Sequence, residues 1–176
     1  MVILVADDPG PISSQTEQDT RHFSRFSKLP CFDPSSAQEA YEMIQEAFEY
    51  SEKYGTPVFL RPTTRVCHGY ASIMGKDETE YTHHQPEGFI KDSKRWVIFM
   101  NHKKIEARNQ ELSDIFSSYE KNTIHPSCDA FKDSKKGIAT GGISYTYTME
   151  TLKKTGMVKT LKIATPHPFP EKLAVD

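Results

Sequence analysis

The chain has 176 residues, 36% of them hydrophobic and 26% charged, with a formal net charge of −2. This length suits one ordinary domain, or one domain and part of another, and the charge balance leaves no basic footprint for non-specific nucleic-acid binding. No apolar run approaches the ~20 residues that span a bilayer, and Met1-Val2-Ile3-Leu4-Val5-Ala6 runs straight into Asp7 without the basic start of a signal peptide.

Residues 2–7 read as a buried strand that stops abruptly at Asp7-Asp8-Pro9-Gly10. In open α/β proteins, ligands sit outside the carboxyl ends of strands, so the polar segment that follows is a natural ligand loop. It carries Ser13, Ser14, Gln15, Glu17, Asp19 and Arg21 within a dozen positions. The pattern predicts a short helix over 14–27, with Phe23 and Phe26 on one face and Ser13 or Ser14 as its cap. Cys31-Phe32, between Pro30 and Pro34, reads as a short strand.

Residues 36–54 form the clearest helix. Ser36 and Glu39 have capping-box spacing, and Ala37, Ala40, Tyr41, Ile44, Ala47 and Phe48 make one apolar stripe. Gly55 can close it in the left-handed conformation, and Pro57 prevents continuation. Val58-Phe59-Leu60 is then a second buried strand, ending at Arg61-Pro62-Thr63-Thr64-Arg65. Strand, helix and strand with short connections describe a right-handed parallel crossover.

Residues 66–94 lack apolar periodicity and read as a loop or linker. Trp96-Val97-Ile98-Phe99 is a short apolar segment, and a helix is expected over 102–120, with Ile105, Leu112, Ile115, Phe116 and Tyr119 on its buried side. Residues 121–136 read as a polar connection. A second crossover follows: a strand at Ile138-Ala139-Thr140, a tight turn at Gly141-Gly142, a helix over 143–155 and a strand over 158–164. Pro166, Pro168 and Pro170 end regular structure, and Glu171 to Asp176 begins another helix. A core strand placed directly at Met1 and a helix cut short at Asp176 are expected of an excerpt of a larger protein.

The cysteines, Cys31, Cys67 and Cys128, are odd in number and without C-x-x-C spacing, which disfavours a disulfide framework or a zinc site and suits a reducing cytoplasm. Asp7 and Asp8 could form an acid/base pair, or one could cap a turn while the other is solvated. Glu17, Asp19 and Arg21 could pair with Arg25 in an orienting network, or Arg21 or Arg65 could hold a substrate carboxylate in a bidentate pair. Adjacent His83 and His84 do not share a helical face and so make a poor metal site; His22, His68 and His167 are isolated. Gly137 to Gly142 has the look of a phosphate cradle but lacks the full dinucleotide pattern.

Ala6-Asp7-Asp8-Pro9-Gly10, Ser13-Ser14-Gln15, Glu17-Gln18-Asp19, Leu60-Arg61 and Thr63-Thr64-Arg65 together resemble the large subunit of indolepyruvate ferredoxin oxidoreductase, a family of thiamine diphosphate enzymes. Gly137 to Gly142, Ser144-Tyr145 and Pro166 to Pro170 resemble that family's second domain. The resemblance runs in order along nearly the whole chain. It implies an α/β fold: a parallel-sheet, three-layer unit like the pyrimidine-binding domain of thiamine enzymes over 1–65, a linker with a helix over 66–135, and part of a transketolase C-terminal-like unit over 136–176. It also implies a share in the oxidative decarboxylation of an aryl-2-oxoacid to an acyl-coenzyme A, with ferredoxin accepting the electrons. Thiamine diphosphate, Mg²⁺ and 4Fe-4S clusters would serve the whole enzyme, alongside a smaller subunit and assembly into a homodimer or larger. The loop candidates for substrate or cofactor are Ser13, Ser14, Gln15, Glu17, Arg21 and Arg65, with no metal ligand. The family's activating glutamate and its Gly-Asp-Gly diphosphate motif are absent from this sequence, so neither tight cofactor binding nor activity is expected of this chain alone. A non-catalytic assembly or binding module with the same fold is the alternative, and a nucleotide-binding domain resting on Gly141-Gly142 is a third.

Overall fold

A computed structural model describes residues 1–10, 15–77, 98–125 and 136–175, with side chains from residue 101 onward in the third stretch. The elements are β1 (Val2–Leu4), α1 (Thr20–Ser27), β2 (Cys31–Phe32), α2 (Ala37–Tyr54), β3 (Val58–Leu60), α3 (Thr64–Cys67), α4 (Ile98–Ser117), β4 (Thr123–His125), β5 (Ile138–Gly141), α5 (Gly142–Thr155), β6 (Thr160–Ile163) and α6 (Glu171–Val175).

The first three strands make a parallel sheet in the order β1-β3-β2, with Val2 opposite Val58 and Cys31 opposite Phe59. Central β3 is buried at all three positions, as a continuous apolar run in a parallel sheet requires, whereas β1, expected as a buried strand over 2–7, is confined to Val2–Leu4 at the sheet edge and leaves Leu4 exposed. Helix α2 is bounded as its sequence dictates. Ser36 Oγ accepts from Glu39 N–H at 3.2 Å, and Gly55 closes the helix at φ 57°. The Glu39 carboxylate turns back to the N–H and hydroxyl of Ser35 at 2.9 and 2.8 Å.

Helix α1 begins later than its sequence pattern suggests. Asp19 caps it by accepting from Arg21 N–H, so neither Ser13 nor Ser14 is the cap of this helix. Those two serines lie outside the described residues, as do His83, His84, Trp96, Val97 and Cys128. Phe23 meets Phe59 edge-on, at 5.8 Å between centroids, yet both Phe23 and Phe26 remain exposed.

The helix expected over 102–120, with Leu112 and Phe116 on its buried side, contributes directly to the core. Helix α4 starts at Ile98 and so takes up half of the apolar tetrad at 96–99. Leu112 and Phe116, both fully buried, join Phe32, Met43, Ala47, Val58, Leu60 and Ala164 in one cluster. Phe116 stands edge-on to Phe32 at 5.7 Å. Within the expected polar connection, Thr123–His125 forms a strand, β4, antiparallel to β6. The second sheet is therefore mixed, β4-β6-β5, with the anticipated β5-α5-β6 crossover parallel.

The two sheets meet through backbone hydrogen bonds. Cys31 N–H donates to His167 C=O at 2.7 Å, and Asp33 N–H donates to Ala164 C=O at 2.8 Å. Buried Asn122 reinforces the seam: its Nδ2 donates to Phe116 C=O and Thr165 Oγ1, and its Oδ1 accepts from Ala164 N–H at 2.7 Å. The carboxyl ends of β1, β2 and β3 are thereby brought against the start of α5.

Candidate functional site

Each strand of the parallel sheet is followed by a charged residue that the extended backbone ladder holds in place. Asp7 N–H donates to Pro62 C=O, Arg61 N–H to Phe32 C=O, and Asp33 N–H to Ala164 C=O. The three side chains converge. Arg61, only 1% exposed, places Nε 2.5 Å from Asp7 Oδ2 and Nη1 3.0 Å from Asp33 Oδ2. Burial of such charges is tolerable only where they are paired and hydrogen-bonded. The Asp7 carboxylate also accepts from the N–H and hydroxyl of Thr20, which fixes the entry to α1.

Pairing is incomplete. Arg61 Nη2, Asp33 Oδ1 and Thr63 Oγ1 are buried without a hydrogen-bond partner. The nearest acid to Arg61 Nη2 is Asp19 Oδ1, at 3.6 Å. Each unmade bond to a buried polar group costs about 1–3 kcal/mol, so three around one guanidinium are a local concentration of unmet polarity. Desolvation pushes the Asp33 carboxyl up to about 6, against the opposing pull of Arg61 and Arg21.

Beside this cluster opens a cleft of about 410 Å³. Asp8 and Gly10 line it from the end of β1, Arg61, Thr63 and Arg65 from the end of β3, and Gly141, Gly142 and Ser144 from the β5–α5 junction. The glycine pair permits this junction. A Cβ on Gly142 would lie 2.7 Å from Asp33 Oδ1, and Gly142 has φ +52°. A Cβ on Gly141 would collide with Ile163 C=O. The pair is there for close approach by Asp33 and β6, a reason independent of any nucleotide.

The sequence candidates separate clearly. Glu17, Arg21 and Arg65 all line the cleft. Gln15 is exposed and is not among the lining residues. Arg21 is already committed: its Nε and Nη2 grip both oxygens of Asp19 at 2.8 and 2.6 Å. That bidentate bond is the main reason the Asp19 carboxyl is lowered to about 2. Arg65 is exposed and makes no ion pair among the described residues. Arg25 does not join the Asp19 network; it lines a separate cleft of about 530 Å³ with Lys28 and His167. His167 is held neutral there, lowered to about 4 by burial and by Arg25, Arg108 and Lys28. Sequence reading did not single out Arg61, Asp33 or Thr63 as site residues. Asp33 and Arg61 carried a signal, a charged residue set directly after each of the apolar runs Cys31-Phe32 and Val58-Leu60; Thr63 carried none of that kind.

No protein-family model matches the chain. Its relatives are nonetheless consistent. A protein of Methanothermobacter thermautotrophicus described as indolepyruvate oxidoreductase subunit IorA is 38% identical over 98% of this chain. The chain matches a segment of IorA. The subunits of the same name from Pyrococcus abyssi and Archaeoglobus fulgidus are 38% and 33% identical over 97% and 98% of the chain. The chain spans 27–28% of the length of these three IorA proteins. The resemblance seen in the Asp7 to Arg21 and Leu60 to Arg65 motifs is thus a property of the whole sequence.

Among the described residues no group of three or more His, Cys, Asp or Glu side chains is gathered for a metal. Asp7 and Asp33 are bound to Arg61. Cys31 is buried and Cys67 exposed, both free, and burial drives the Cys31 thiol far above its ordinary value. Among the described residues no helix is long and apolar enough to cross a membrane.

Proposed function

We propose that this chain is the cleft-forming segment of a 2-oxoacid oxidoreductase acting on indolepyruvate or a similar aryl-2-oxoacid. The observation that carries the reading is the match of 98% of this chain to a segment of IorA at 33–38% identity. The cleft between the ends of β1 and β3 and the start of α5 supports it, since that is where an open α/β sheet offers a ligand site. The pyrimidine-domain-like and transketolase C-terminal-like architecture belongs to this proposal. So do thiamine diphosphate with Mg²⁺, iron–sulfur clusters, coenzyme A, ferredoxin, a smaller subunit, a cytoplasmic setting and a homodimeric or larger assembly. In the whole enzyme the cofactor supplies the carbanion chemistry. The present residues shape the pocket: Arg61 locks the three strand ends together, and Asp19 and Arg21 fix the loop before α1.

A chimera tests the reading. The matching segment of the Methanothermobacter subunit is replaced by this chain, assembled with the remaining parts of that enzyme, and assayed for indolepyruvate-dependent dye reduction. Turnover within tenfold of the parent is expected. An assembled chimera without turnover would refute the catalytic reading and leave the assembly module.

A further inference from the structure

The orphaned polar atoms around Arg61 need a partner. Arg61 Nη2 and Thr63 Oγ1 have none, and both residues line the cleft. The same cleft is lined by the amino end of α5, a 14-residue helix whose cap, Gly141, provides no side-chain hydrogen bond. The first N–H groups of a helix carry partial positive charge and take an anion readily. Three converging donor groups, two of them buried side chains, describe a site for one small oxyanion.

The charges around the cleft select the anion. Arg21, Arg61 and Arg65 stand against Asp8 and Glu17 on its lining and against Asp7, Asp19 and Asp33 behind Arg61. Acids outnumber arginines, so every added negative charge is opposed: a dianion is disfavoured more than a monoanion, and a monoanion enters only if one acid gives up its charge. Asp33 is the acid best placed to adjust. Its Oδ1 lies directly behind Gly142 without a hydrogen-bond partner. Asp7 faces it from the end of β1, Arg61 from the end of β3, Arg21 from α1, and Cys31 from β2, while Asp19 stands on the far side of Arg61 as its ion-pair partner at 3.6 Å. The first turn of α5 contributes no acid. Two carboxylates sharing one site do not both stay ionised.

We propose that the cleft binds one carboxylate group, received by Arg61 Nη2, the Thr63 hydroxyl and the amino end of α5, while Asp33 takes up one proton from solvent. Exposed Arg65 closes over the group from the rim. The identity of the acid rests on the oxidoreductase reading; the recognition of a carboxylate does not.

Calorimetric titration of the full 176-residue chain with indole-3-acetate, indole-3-pyruvate and inorganic phosphate tests this. Both acids should bind, and phosphate at pH 7.5 should bind at least tenfold more weakly. Affinity for the acids should be about twentyfold higher at pH 5.5 than at pH 7.5, the ratio of protonated Asp33 for a group titrating near 6. Buffers of different ionisation heat should report proton uptake. Asp33→Asn should bind at pH 7.5 as the parent does at pH 5.5 and lose the pH dependence. Thr63→Val should bind about tenfold more weakly without a fall in Tm, which a purely structural role would not produce. Should Asp33→Asn fail to fold, the pH series on the parent and Thr63→Val still decide. No binding of either acid at millimolar concentration, binding of the 2-oxoacid alone, or a pH-independent affinity would each overturn the proposal. An active chimera with no carboxylate binding would remove this inference and keep the oxidoreductase reading. Carboxylate binding with an inactive chimera would do the reverse.

Discussion

Arg61→Met is the most informative perturbation of the buried network. The substitution keeps much of the side-chain volume and deletes the guanidinium that touches Asp7 at 2.5 Å, Asp33 at 3.0 Å and Asp19 at 3.6 Å. Removing one partner of a buried ion pair leaves an uncompensated charge and costs about 3–5 kcal/mol. Asp7 keeps its bonds from Thr20, so most of the loss falls on Asp33. The sign with pH follows. The Asp33 carboxyl already sits near 6 in the folded chain, above its ordinary 3.8, so folding gains stability from it as pH falls through 6. Without Arg61, which lowers it, protonation begins at higher pH and relieves more. Urea unfolding should therefore show a loss of about 3–5 kcal/mol at pH 7.5 that shrinks by at least 1 kcal/mol at pH 5. A loss below about 1 kcal/mol at pH 7.5, or one that does not shrink on acidification, would refute the claim that Arg61 is the counter-charge of the strand ends.

Asn122→Ala should cost about 1–3 kcal/mol in urea unfolding, because it strands the buried Ala164 N–H at the seam between the sheets. His167 titrates near 4 when folded and near 6.5 when free, so its share of stability is complete above pH 6.5 and is lost between 6.5 and 4. Being half-buried, it should account for no more than about 1–2 kcal/mol, read as the difference in acid sensitivity between the parent and His167→Gln. In the active chimera, Arg65→Gln should raise KM for indolepyruvate by about tenfold or more, whereas Arg21→Gln, whose guanidinium is spent on Asp19, should change it less than about threefold; equal effects would reject the distinction. The chain alone should bind Mg²⁺–thiamine diphosphate more weakly than ~1 mM by calorimetry, and micromolar binding would show a complete cofactor site here.

Much of the fold was legible because it is local. The Ser36 cap, the Gly55 stop, the apolar stripe of α2 and the Val58 to Leu60 strand are each specified within a few residues by propensity and period. The β5-α5-β6 crossover was legible for the same reason, and the family resemblance was carried by spacings that survive in one dimension. The start of α1 was misplaced because Asp19, Ser13 and Ser14 are all competent caps, and the choice falls to Asp7, a strand away, which binds Thr20. Strand β4 was missed because Thr123–His125 is short and polar and becomes a strand only by pairing with β6. The site divides the same way. Sequence placed Glu17, Arg21 and Arg65 on strand-end loops, and all three line the cleft. It could not tell which arginine is free, because that depends on a carboxylate within reach. Nor could it show that Asp33 and Arg61, 28 positions apart, form one buried pair with unmet bonds beside α5. Local chemistry fixes helices, strands and caps from neighbouring residues, whereas partnership between buried charges is set by distances that exist only once the sheets have closed against each other.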